Sequence, residues 1–131
     1  MIDVSQEIKT RIEELDNLLE KYLEKSSSIQ AITVVSPDGL PIASTSDENE
    51  IVIAAMTAAS QSLSERVLNE LERGGMQEIM LTGEEGFVVI LNAGENAVVS
   101  FTASDAKNIG LVRVLAKQLA QIISEMLLGT S

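Results

Sequence analysis

Phe87-Val88-Val89-Ile90-Leu91 sets five apolar residues side by side with no polar residue between them. A strand points successive side chains to opposite faces, so an unbroken apolar run predicts a strand covered on both. Its neighbours supply a meander: Met76 to Thr82 before it and Ala97 to Thr102 after it read as strands. The connectors Gly83-Glu84-Glu85-Gly86 and Ala93-Gly94-Glu95-Asn96 are of hairpin length. Helices must then flank the sheet on two sides.

Those helices are legible on either side of the meander. From about Ala106, Val112, Leu115, Leu119, Ile122, Ile123 and Met126 share one face, with Arg113, Lys117 and Gln121 away from it. Residues 3 to 25 carry Val4, Ile8, Ile12, Leu15, Leu19 and Tyr22 on one stripe, with Glu7, Glu13 and Glu14 elsewhere. Between the first helix and the meander, Ala31 to Val35 and Leu40 to Ser44 flank Ser36-Pro37-Asp38-Gly39, where Pro presets one turn corner and Asp-Gly tolerates the reversal. A long helix follows the acidic run Asp47-Glu48-Asn49-Glu50 and extends to about Glu72, with Gly74-Gly75 expected to supply its left-handed stop. Val52, Met56, Ala59, Leu63 and Val67 lie on one broad face of it, which is expected to cover the sheet. Ala55, Ala58 and Ser62 form a second stripe of small side chains. Small residues serve close helix-sheet packing inside one subunit or a close helix crossing between two. The second reading is preferred, since the larger stripe is already assigned to the sheet.

Composition bounds the function. With 131 residues the chain is expected to form one domain over residues 1–131, its core built from aliphatic side chains because aromatics are only 2%. A formal charge of −11 repels phosphate backbones and anionic membranes, so no nucleic acid partner is expected. No run approaches the roughly 20 apolar residues of a spanning helix and the start does not resemble a secretory signal, so a cytoplasmic protein without an integral membrane segment is expected. The chain has neither Cys nor His, which removes disulfides, thiolate metal sites and the usual general base. No Walker-type Gly-rich loop ending in Lys-Ser/Thr is present. No catalytic, cofactor or metal residues are therefore assigned.

The order helix, two strands, long helix, three strands, helix resembles the Roadblock family of dynein light chains and their bacterial and archaeal relatives over nearly the whole chain. Three segments carry the likeness: Ile32-Thr33-Val34-Val35-Ser36-Pro37-Asp38-Gly39-Leu40-Pro41-Ile42-Ala43-Ser44, the Ala/Ser-rich second helix, and Asn108-Ile109-Gly110-Leu111-Val112-Arg113 at the entry to the last. The resemblance implies an α+β sandwich of profilin-like type: a five-stranded antiparallel sheet, the second helix on one face, the first and last on the other. It also implies homodimers that pair the second helix and third strand across a two-fold axis. Family members serve as adaptors in dynein and endomembrane scaffolds or as partners of Ras-like GTPases, so a Ras-like small GTPase is the expected partner class.

On that footing the expected dimer interface comprises Ala55, Ala58 and Ser62 of the helix with Met76, Ile79, Met80 and Leu81 of the third strand. Arg66, with Glu65 and Asn69, is the candidate GTPase contact, although an arginine on a helix surface is more often a solubilising residue than a finger inserted into an active site. Asp38-Gly39 and Glu84-Glu85 are read as turn chemistry and a solvated hairpin. The preferred function is a non-catalytic homodimeric adaptor that regulates or scaffolds a GTPase. A scaffold subunit without a nucleotide-dependent partner and a PAS- or profilin-like small-ligand sensor are the alternatives, the last disfavoured by a nearly all-aliphatic core.

Overall fold

In the computed structural model, which describes residues 3–46 and 48–128, the chain runs as α1 (Val4–Leu23), β1 (Ile29–Val35), β2 (Pro41–Ser44), α2 (Glu50–Glu70), β3 (Ile79–Gly83), β4 (Gly86–Asn92), β5 (Val98–Ala103) and α3 (Ile109–Leu128). All five strands form one antiparallel sheet in the order β2-β1-β5-β4-β3, with β1 and β5 paired near its centre. The register follows the turn chemistry: the Ser36 carbonyl accepts from the Gly39 amide at 3.0 Å, and Gly83 pairs with Gly86 across a tight hairpin.

Strand alternation divides the core in two. Ile32, Val34, Phe87, Val89, Val99 and Phe101 face Leu15 and Leu19 of α1 and Val112, Leu119 and Ile123 of α3. The alternate residues Val35, Ile90 and Val98 face α2, where Ala54 joins their buried cluster. The unbroken run in β4 is thus covered on both faces as expected, Phe87, Val89 and Leu91 by one helix layer and Ile90 by the other. The architecture is an α+β sandwich of profilin-like layering. Strand polarity adds to the difference between the layers, since buried Thr33 and Ser100 belong to the α2 side of the sheet.

Several boundaries differ from the sequence reading; β1, for one, begins at Ile29 rather than Ala31. The long helix stops before Gly74-Gly75: Glu72 itself takes the left-handed conformation at φ 56°, its amide bonding to the Asn69 carbonyl and that of Arg73 to the Leu68 carbonyl. These two bonds make a Schellman closure. The third strand begins at Ile79 rather than Met76, and Met76 is buried ahead of it. The last helix is entered through a 3₁₀ turn, Ala106–Asn108, capped by Asp105 accepting from the Lys107 amide at 2.9 Å. At the front of α2 the reading of an acidic start lies partly outside the described residues at Asp47. Glu50 does stand in the first turn.

Candidate docking surface

The faces of α2 are reversed relative to expectation. Ala54, Thr57 and Ala58 are buried against the sheet, whereas Val52, Met56, Leu63 and Val67 are 47% to 63% exposed. The reason lies beneath the helix. Gly39 sits in the first hairpin turn at φ +89°, and a Cβ built there would lie 3.6 Å from the Ala58 Cβ and 3.7 Å from the Ala55 Cα. Only small side chains leave α2 room so near a turn. Ala58 therefore serves packing inside the subunit, which corrects its assignment to a dimer contact. Ala55 is exposed and Ser62 likewise, and both flank the large stripe.

This stripe has a built-in symmetry. About a point between Ala59 and Ser60, Val52 mirrors Val67 and Met56 mirrors Leu63. An antiparallel copy of the helix would meet each large residue with another, and the small residues at the crossing. Beside the stripe lies the outer edge of β3, which among the described residues pairs with β4 alone. Between helix and edge runs an apolar groove of about 340 Å³, lined by Ile53, Met56, Leu81, Val88 and Ile90 with the hydroxyls of Thr57 and Ser60. Leu81 is half exposed, and Ile79 and Met80 are half-buried, Met80 against the α1/α3 core. Met76 is buried within the subunit and is removed from the expected interface surface.

Comparison with known proteins now bears on this geometry. The Roadblock/LC7 domain model matches residues 15–100. The chain belongs to the Roadblock/LC7 family. A relative from Methanocaldococcus jannaschii, the uncharacterized protein MJ1340, is 38% identical over 108 residues, spanning 79% of this chain and 92% of the relative. Among solved structures, MglB of Myxococcus xanthus superposes with a TM-score of 0.84 at 13% identity, covering 100% of this chain and 96% of that one. The gliding protein mglB of Thermus thermophilus gives 0.80 at 16% identity, covering 88% and 90%.

In this Roadblock domain the three candidate GTPase contacts do not form one cluster. Arg66 and Asn69 are exposed, Arg66 lying beside Leu63 and Val67 in a shallow apolar depression that ends at Leu71. Glu65 turns the other way, accepting from Asn92 Nδ2 at 3.3 Å and Gln61 Nε2 at 3.5 Å, and so ties α2 to the end of β4. On the opposite side, Arg113 of α3 forms a two-pronged pair with Glu78 just before β3. The hydrogen bond from Arg113 to Glu78 and the carboxylate's charge hold the guanidinium above its ordinary pKa. Glu84 and Glu85 form the exposed tip of the β3-β4 hairpin. Among the described residues no cluster of carboxylates has metal-binding geometry, and no helix is long and apolar enough to cross a membrane.

The large α2 stripe was visible in the sequence but assigned to the wrong neighbour. The available signal was the opposite face, where Ala54, Thr57, Ala58 and Gln61 recur at helical spacing. A helix that is small on one face and bulky on the other can sit close to its own sheet and still offer a second contact.

Proposed function

We propose that this Roadblock domain is a non-catalytic, cytoplasmic homodimeric adaptor that binds, and regulates or scaffolds, a Ras-like small GTPase. The observation that carries the reading is the exposed Val52-Met56-Leu63-Val67 stripe beside an unpaired strand edge. A contiguous apolar stripe and an open edge together mark a surface that another chain covers. Pairing two copies through α2 and β3 removes both from water and leaves a broad two-fold platform that includes Arg66 and the neighbouring loops. Ala55, Ser62, Ile79 and Leu81 stay within the proposed contact, now joined by the four large residues.

Family membership supports the partner class, and a chain without His or Cys supports the absence of chemistry of its own. A GTPase changes mainly in its switch loops when the γ-phosphate is lost, so an adaptor that senses nucleotide must touch those loops or what they move. A difference of about 1.4 kcal/mol between states already gives tenfold preference. The test measures binding and turnover of the co-purifying GTPase, loaded with GTP analogue or GDP, against wild-type and Arg66→Ala dimers. We expect tighter binding to the GTP form and little change in the arginine variant. Equal affinity for both forms would reduce the protein to a passive scaffold, and absence of binding would remove the GTPase reading.

A further inference from the structure

We propose that the first turns of α1 are a second self-association surface, on which another copy of this chain packs its own α1 antiparallel, about a two-fold axis at Ile8. The proposal stands apart from the α2 contact and from the GTPase reading.

One apolar stripe runs the length of α1, but the sheet covers only part of it. Leu15, Leu19 and Tyr22 are buried, whereas Val4, Ile8 and Ile12 are 68%, 54% and 46% exposed. Each described residue from Asp3 to Thr10 is exposed. The end of α3 reaches α1 at Arg11, whose Nη1 donates to the Met126 carbonyl at 3.3 Å. Beyond that contact the helix overhangs the body by about 10 Å between Arg11 and Val4, at ~1.5 Å per residue. A helical extension so short is marginal without packing, and this one continues the very stripe that holds the rest of α1 in the core.

Charge selects the cover. The stretch from Asp3 to Glu14 carries Asp3, Glu7, Glu13 and Glu14 against Lys9 and Arg11 on a chain of net −11, which disfavours an anionic bilayer. A second copy fits better. Antiparallel about Ile8, Val4 meets Ile12 of the other copy at the same height and Ile8 meets its own counterpart. Glu7 then flanks Arg11 of the other copy, displaced by only about 3 Å along the axis. These two residues already pair within one helix at 3.5 Å, so exchange between copies conserves the ion pairing. Asp3, Glu13 and Glu14 point roughly 120–140° away from the contact, at 100° per residue. Each tip approaches the other copy's α3 end, where Leu128 is 64% exposed and Leu15, Ile123 and Met126 border a narrow groove with Arg11. The contact is small, on the scale of transient interfaces. Combined with pairing through α2 on the other face of the sheet, it would link dimers into larger assemblies.

The test uses the full chain. Ile8→Asp should halve the assembly mass seen by light scattering while leaving the melting temperature nearly unchanged, since the side chains of residues 3–10 are exposed in the subunit. In a Leu63→Lys background, which removes the α2 contact, Ile8→Asp should convert residual dimer to monomer. The natural absence of cysteine allows a second readout: Ile8→Cys should oxidise to a disulfide-linked pair several-fold faster than Glu13→Cys on the far side of the helix. Unchanged mass in both backgrounds, or equal oxidation of the two cysteine variants, would overturn the proposal. So would loss of GTPase binding or of phosphatidylglycerol vesicle binding in Ile8→Asp with its mass intact, because the stripe would then belong to that partner.

Discussion

Glu72 occupies a position that glycine normally fills. A residue with a Cβ at φ 56° after a helix carries a steric cost, and here two closing hydrogen bonds hold it there. Gly74, two residues later, has the freedom without the task. Glu72→Gly is therefore expected to stabilise the fold by about 0.5–1 kcal/mol, the relief of the left-handed conformation less the added freedom of the unfolded chain. Chemical denaturation of the variant checks it, and a loss of stability would mean that the Glu72 side chain contributes more than its backbone costs. Arg113, paired with Glu78, illustrates the opposite case, a side chain whose partner favours the state it adopts. Because the arginine pKa is raised, the stability it contributes is present at neutral pH and is lost as the pH rises through the folded-state value.

At the level of elements, α2 separates what patterning can decide from what it cannot. Leu63 is expected to lie in a two-fold interface and is already exposed in the subunit, so Leu63→Lys should leave the fold intact and dissociate the dimer. Burial of a leucine contributes about 1.5–3 kcal/mol, and the loss occurs twice across a two-fold, which weakens association by more than tenfold. Sedimentation or light scattering at several concentrations reads the outcome; a dimer of unchanged affinity would place the interface elsewhere. Strands, turns and helix order were legible because short apolar runs, Pro-Asp-Gly and Gly-Glu-Glu-Gly impose local geometry that needs no knowledge of neighbours. The orientation of α2 was not. Periodicity separates Val52, Met56, Leu63 and Val67 from Ala54, Thr57 and Ala58, but does not say which set meets the sheet. That depended on the approach of the turn at Gly39, a contact between residues distant in sequence. For the same reason Ala55 and Ser62 emerged as surface residues and Ala58 did not.

At the scale of the whole molecule, the two helix layers are held unequally. α1 and α3 close over a continuous apolar cluster that includes Tyr22, Phe87 and Phe101, whereas α2 is fastened by Ala54 over Val35, Ile90 and Val98, with Ile79 and Val88 at the margin. Stability within one fold is distributed according to such differences in buried contact. In native-state hydrogen exchange, the amides of α2 are expected to exchange through an opening of lower free energy than those of β1, β5 and α3, when the subunit is held monomeric by Leu63→Lys. Exchange of all four elements at a single free energy would contradict this. Assembly should then slow exchange in α2 most of all. The consequence is thermodynamic: the helix that presents the docking stripe is also the one most free to lift from the sheet. Any partner that grips the stripe must also hold α2 in place. Its measured affinity will therefore report the ordering of a helix as well as the contacts made.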